Sequence, residues 1–367
     1  MATWNAVLGG VVILALQAAA QPSSTATPGD NFRYAPDRVI DARQYCHTPG
    51  TFDQTCLTNA IAALPAAGGT VQLGNAGYTL AATVSVVNRT RVTVDGHGAT
   101  VTAANGLNAN LLFFSNCQRC RVIGLAVNGN GANQTGASFG VLFEDSAYST
   151  IEDAYVTGCL TAGVYLYYDG IGSTADGIQV LASYIQNNLG IGVLVNGVND
   201  SLLRGNHVDS NAGAAGILIE GAFNDVVLGN TVLSNLGHGI FVYGGKRNNA
   251  GSNQVRNNNQ DGIVYQNTAE SVINGNTTHM NGQAAAGTYS GIVCDACTSM
   301  TISNNVSLDT DFPPMHQTYG LQILGASSNI TVSSNILAPN LEGAASLVGG
   351  AIVSARGNVG LADIAPN

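Results

Sequence analysis

The chain has 367 residues, a formal net charge of −10 and only 9% charged side chains. Twelve Lys and Arg against 22 Asp and Glu argue against a nucleic-acid partner and against an anionic membrane. Frequent glycine and β-branched residues, with no sustained 3.6-residue periodicity across the centre of the chain, exclude a helical solenoid.

Residues Ala6 to Ala20 are almost wholly apolar and too short to span a bilayer comfortably. They end in Ala18-Ala-Ala before Gln21, which predicts a signal peptide over residues 1–20, although no positive charge precedes the apolar run. A membrane anchor is the alternative reading. The mature protein is therefore expected to be secreted and extracellular. Residues 21–40 open with a Pro/Ser/Thr-rich stretch and read as a poorly ordered segment. Leu57, Ile61 and Leu64 then recur at helical spacing, Asp53 is placed to cap them and Pro65 to stop them, so a helix is expected over 53–64. A solenoid exposes its core at its ends, and this helix reads as the N-terminal lid.

From Gly140 onward one phrase recurs, a glycine followed by inward and outward residues in alternation. It stands at Gly140, Gly163, Gly192, Gly216, Gly239, Gly262, Gly291 and Gly320, at intervals of 23, 29, 24, 23, 23, 29 and 29 residues. Between glycines lie three short strands and three polar turns, one coil of a parallel β-helix. The fold class is thus all-β, with the solenoid spanning 41–353 and a tail at 354–367. The first and third residues after each glycine should point inward and the second and fourth outward. The outward fourth position reads Glu144, Tyr167, Asn196, Glu220, Tyr243, Gln266, Asp295 and Leu324, a polar and aromatic stripe suited to an extended glycan.

Ala66-Ala-Gly-Gly-Thr-Val-Gln-Leu, Gly77-Tyr-Thr-Leu and Arg91-Val-Thr-Val-Asp-Gly-His follow the helix. Here the sequence resembles the pectate-lyase-like superfamily of right-handed β-helix proteins, from about Asp41 to Val353. One departure is visible: Gly74-Asn stands where that pattern has a proline-containing turn. Gly237-His-Gly-Ile-Phe-Val resembles the G-H-G-I motif of polygalacturonases, in which the histidine lies beside catalytic aspartates; only His238 carries over. Ile191 and Ala215 occupy the positions of those aspartates, and Gly262-Ile-Val-Tyr-Gln replaces the basic motif that follows. The paired carboxylates of inverting hydrolysis are thus absent from their family positions.

Two candidate clusters remain. His238 and Asp261 each precede the repeat glycine in successive coils and should stack one strand spacing apart, an Asp beside a His that could act as a general base. Glu220 should stand beside Tyr243, with Lys246 and Arg247 in the following turn. For a lyase or an epimerase acting on uronic acids, Lys246 and Arg247 would neutralise the carboxylate and His238 or Tyr243 would handle the proton. Glu144, Tyr165, Tyr167, Asn196, Arg247 and Gln266 are the expected substrate contacts. No acidic cluster of the calcium-site kind is present, so no cofactor is evident and calcium stays an open possibility.

The remaining expectations concern the compartment and the partner. Cys46/Cys56, Cys117/Cys120 and Cys294/Cys297 form close pairs that read as local disulfides, with a zinc site across the two C-x-x-C pairs as the alternative and Cys159 left over. Sequons stand at Asn88, Asn133, Asn199, Asn276, Asn305 and Asn329, of which a few are expected to carry glycans. The protein reads as a monomer acting on a polysaccharide or oligosaccharide, as a lyase, hydrolase or epimerase. The alternative is a non-catalytic glycan-binding protein on the same scaffold.

Overall fold

The computed structural model describes residues 38–170, 175–310, 314–347 and 352–363. The expected signal peptide, residues 1–20, and residues 21–37 lie outside the described residues.

Three parallel sheets run along the solenoid, and each coil visits them in the same order. Among the described residues sheet I has 13 strands, sheet II has 10 and sheet III has 11. Thr150–Glu152, Tyr155–Thr157 and Ala162–Tyr167 are one such passage through I, II and III. Register is held residue on residue: Val141, Val164, Val193, Ile217, Ile240, Ile263, Ile292 and Leu321 form one column of sheet III. All eight are fully buried, as are their partners two residues later, from Phe143 to Ile323. The inward alternation expected from the glycine phrase is what the structure has. The phrase itself is steric: a Cβ on Gly239 would run into Val255 and the carbonyl oxygen of Gly262.

The turns explain the asparagine content. At the corner between sheets I and II, Gly205, Gly229 and Gly275 hold φ of 67°, 64° and 68°, the left-handed region that favours glycine. The next residue turns inward and stacks as Asn206, Asn230, Asn253, Asn276, Asn305 and Asn335. Asn230 is representative. Its Nδ2 donates to Leu203 O at 2.9 Å and to Asn253 Oδ1 at 3.0 Å, while its Oδ1 accepts from Asn206 N at 2.9 Å. Each buried amide is thereby satisfied by the coils on either side. A second such ladder, Asn188, Asn211, Asn235 and Asn258, lines the corner between sheets II and III.

At the N-terminal end helix α1 (Gln54–Ala63) covers the first coils with Cys56, Leu57, Ala60 and Ile61. Asp53 Oδ1 accepts the Thr55 N–H at 2.9 Å, and Cys46 is bonded to Cys56. At the other end the last strand of sheet I is Ile352–Arg356, and Val359 bridges to Ile336, so coil structure continues into the stretch expected as a tail.

Two sequence expectations are corrected. Cys117 and Cys120 are free, buried thiols. Each occupies a corner position beneath a serine, with Cys117 N donating to Ser146 Oγ and Cys120 N to Ser149 Oγ. Cys294 and Cys297 are bonded to each other. The two C-x-x-C pairs lie seven strand steps apart in sheet III, about 34 Å at the parallel spacing, which removes a shared zinc site. Asn276 and Asn305 are buried ladder residues whose Nδ2 groups are fully used, so neither sequon is open to a glycan. Asn88, Asn133 and Asn329 are exposed and Asn199 is half-buried.

Candidate functional site

The outward face of sheet III carries three columns. The first runs through Phe139, Ala162 and Ile191, and on through Ala215, His238, Asp261 and Ser290. The middle column is apolar, through Leu142, Tyr165, Leu194, Leu218, Phe241, Val264 and Val293. The third is the polar stripe from Glu144 to Leu324 in the register expected from sequence. Of this middle column the sequence reading used only Tyr165 and left out Phe241, although the inward–outward alternation already pointed to it.

At one end of this face, aromatic and carboxyl groups lie together. Phe139, Tyr165 and Tyr167 pack with ring centroids 4.8 and 5.2 Å apart. Burial holds the Glu144 carboxyl above its ordinary range, and the charges of Asp145 and Asp169 add to the shift. Asp145 is raised as well, again chiefly by burial. The Tyr165 phenol is pushed up by burial, with Tyr167, Glu220 and Glu144 contributing negative potential. Asn196 donates to Glu220 Oε2 at 3.1 Å, drawing that side chain toward the Tyr165 coil. Asp169 was expected from sequence at the start of a long turn flanking the face, beside Tyr165, Tyr167 and Tyr168, whereas Asp145 was not singled out, because it stands in the turn that follows its strand.

At the other end, His238 Nδ1 lies 3.2 Å from Asp261 Oδ2. This is an ion-pair distance without hydrogen-bond alignment, since Nδ1 has no hydrogen-bond partner. Asp261 is fixed from its other side, where Oδ1 accepts the Ser290 N–H at 2.6 Å. The imidazole packs on Phe241 at 5.1 Å, and Phe241 meets Tyr243 edge-on at 6.1 Å. Among the described residues nothing hydrogen-bonds to His238 Nε2, which leaves that nitrogen open to a substrate proton within reach. Ser290 follows Asp261 in the column, so His238 does not sit between serine and aspartate, and a nucleophilic serine triad is not formed. Gln266 donates to Asp295 Oδ2 at 2.8 Å further along the stripe.

The cationic group expected beside Tyr243 is changed by a residue that sequence reasoning missed. Glu270 lies 3.1 Å from Arg247 and 3.9 Å from Lys246, and Arg247 Nε also donates to Asn224 at 2.7 Å. Two cations and one carboxylate leave a net of +1 at this corner. Glu270 stands 23 residues after Arg247, one coil on, so the repeat count alone could have found it. None of the three columns of sheet III contains Lys or Arg. Among the described residues, no three His, Cys, Asp or Glu side chains converge as a metal site.

Residues 110–268 and 192–359 match the family described as "right handed beta helix region", and the chain belongs to that family. No curated protein sequence matches the chain. Among solved structures, it is similar to the A-module of the mannuronan C-5 epimerase AlgE6 of Azotobacter vinelandii. That likeness has a TM-score of 0.66 at 16% identity over 88% of this chain and 99% of that one. The enzymatically active domain of tailspike protein 2 of bacteriophage CBA120 has a TM-score of 0.66 at 15% identity, over 82% of this chain and 48% of that one. The catalytic domain of a GH87 alpha-1,3-glucanase has a TM-score of 0.61 at 12% identity, over 91% and 71%. At these identities the likeness is one of fold.

Proposed function

We propose that the protein is a secreted, carbohydrate-active β-helix enzyme. Its substrate is an extended glycan lying along the outer face of sheet III, and His238, held by Asp261, transfers the proton. The observation that carries this reading is the pairing of an oriented imidazole with an aromatic column on one continuous face. Rings such as Phe241, Tyr243 and Tyr165 offer apolar area to the faces of sugar rings. Asn196, Gln266 and the carboxylates beside them offer hydrogen bonds to hydroxyl groups.

Charge narrows the substrate. Among the described residues the face presents Glu144, Glu220, Asp261 and Asp295 with His238 as its only basic side chain, and one of the two charges of the Lys246–Arg247 corner is compensated by Glu270. A polyuronate would meet like charge along its length. A neutral or sparsely charged glycan fits better, and with it cleavage by hydrolysis. The test is release of reducing ends from a panel of neutral glucans, xylans and mannans, with pectin and alginate alongside. Turnover of a neutral glycan that falls about 10²- to 10⁴-fold in His238→Ala supports the reading. A rise in unsaturated-uronate absorbance on pectin or alginate overturns the choice of substrate.

One observation favours a non-catalytic glycan-binding protein instead. Glu144 and Glu220 are three strand steps apart, about 14 Å between backbones, and Glu220 is engaged by Asn196. That is wider than the carboxyl pair of a glycosidase is usually built. Glycan binding that depends on Phe241, with no turnover on any substrate of the panel, selects this second reading.

A further inference from the structure

Sheet II carries a second aromatic platform on the opposite side of a corner from the face just described. Ala126, Tyr155, Tyr184, His207 and Thr231 form one outward column of that sheet. Tyr155 is 41% exposed and Tyr184 is 53% exposed, large apolar surfaces that the fold itself does not use. The His207 ring continues the platform, tilted at 5.3 Å from Tyr184. Gln186, two residues on, donates to Tyr155 Oη at 2.7 Å and so fixes that ring from the neighbouring coil. Beyond His207 the same column turns to Thr231, Gln254 and Thr277, so the aromatic rings are confined to three coils.

Those coils are the ones that carry the aromatic end of sheet III. The strand holding Tyr155 leads into the strand of Tyr165 and Tyr167, and the strand holding Tyr184 leads into Ile191–Asn196. A depression lies at the connecting corner, lined by Asn128, Asn130, Gly131, Gly158, Asn187 and Leu189. It is kept open by its glycines. A Cβ on Gly131 would meet Leu189 at 2.8 Å, and one on Gly158 would meet the Asn128 amide at 2.9 Å. The lining has amide groups and two apolar side chains, Ala132 and Leu189, but no Lys, Arg, Asp or Glu.

We infer that Tyr155, Tyr184 and the Asn128–Leu189 depression form a second subsite for a neutral glycan. It receives the part of a long chain that passes around the corner from the outer face of sheet III. Exposed rings, amide hydrogen-bonding groups and a depression without charged side chains are the chemistry of sugar recognition. The ligand class rests on the reading of the protein as glycan-active. The location rests on the exposed rings and on the corner alone.

The test separates the two. Short and long soluble oligosaccharides of the neutral glycans are titrated calorimetrically into the wild type, the Tyr155→Ala/Tyr184→Ala variant and the Phe241→Ala variant. Circular dichroism melts check that each variant is folded. The inference expects the double variant to bind short chains as the wild type does and long chains about tenfold more weakly. Unchanged affinity for long chains in the double variant, with loss in Phe241→Ala, overturns the second subsite and leaves the proposed function standing. Loss in the double variant with none in Phe241→Ala supports the subsite and overturns the placement of substrate on sheet III. A wild type that binds none of these oligosaccharides overturns both.

Discussion

Asp225 Oδ1 accepts the backbone N–H of Ser201 at 2.8 Å, while Asp225 Oδ2 and the Ser201 hydroxyl, both buried, have no partner. Asp225 takes a corner position that Asn248 fills in the next coil, where the amide reaches Ala222 O at 2.9 Å. Burial pushes the Asp225 carboxyl from 3.8 up to about 8, with Asp200 adding to the rise and Ser201 opposing it. The folded state therefore keeps a proton that the unfolded chain has released above about pH 4. Stability from this group is full below the unfolded value and declines as pH rises from about 4 to about 8. Asp225→Asn should remove that slope and raise stability at pH 7 by on the order of 2–4 kcal/mol. Urea unfolding of both proteins across this window gives the difference curve, and a flat difference would refute the assignment.

Replacing a single ladder amide should be costly. Asn230→Ala leaves the donors of Asn206 and the carbonyl of Leu203 without their partner inside the core. A loss of about 3 kcal/mol is expected, visible as a lower urea midpoint with little change in slope. A change within about 0.5 kcal/mol would mean that water or a local shift replaces the ladder.

Lys246 and Arg247 should matter little. Both are about half-exposed and paired with Glu270, and exposed pairs contribute roughly 0–1 kcal/mol. Lys246→Ala/Arg247→Ala is expected to retain turnover on a neutral glycan within about threefold, by the small weight of such pairs. Loss of turnover comparable with that of His238→Ala would restore the two cations to the reaction.

Glycosylation, if the chain passes through a secretory route, should be selective. Asn88, Asn133 and Asn329 are exposed, whereas Asn276 and Asn305 stand inside the ladder. Intact-glycopeptide mass spectrometry should find sugar at some of the first three and at neither of the last two.

The two buried sequons show what one-dimensional reading lost. Asn276-Thr-Thr and Asn305-Val-Ser match the acceptor pattern because a ladder asparagine is followed, two residues later, by an inward strand position. Thr278 and Ser307 fill those positions, fully buried and joined by a hydroxyl contact of 2.6 Å. The core thus writes the motif. Cys117 and Cys120 misled in a similar way, since their spacing suits a disulfide but their corner positions serve the packing of two different turns. In contrast, the columns of sheet III and the His238–Asp261 contact followed from counting residues from the repeat glycine. Periodicity reports which residues share a column, and it is silent on how a side chain such as Glu220 leans along it toward Asn196. The placement of Asp145 was hidden because the glycine phrase ends at the outward fourth position, Glu144, one residue short of it.

The coil is also a unit of length. Inserting or deleting 23 residues in phase would move everything beyond it by one strand spacing, about 4.8 Å, and leave each column in register. The 29-residue coils behave otherwise. Ile263 pairs with Ile292 across 29 residues, yet that coil still advances by one rung, with the surplus placed in the corner turn between sheets II and III. Insertions in this molecule therefore come in two currencies: whole coils alter the length of the outer face of sheet III, while corner loops alter only the walls beside it.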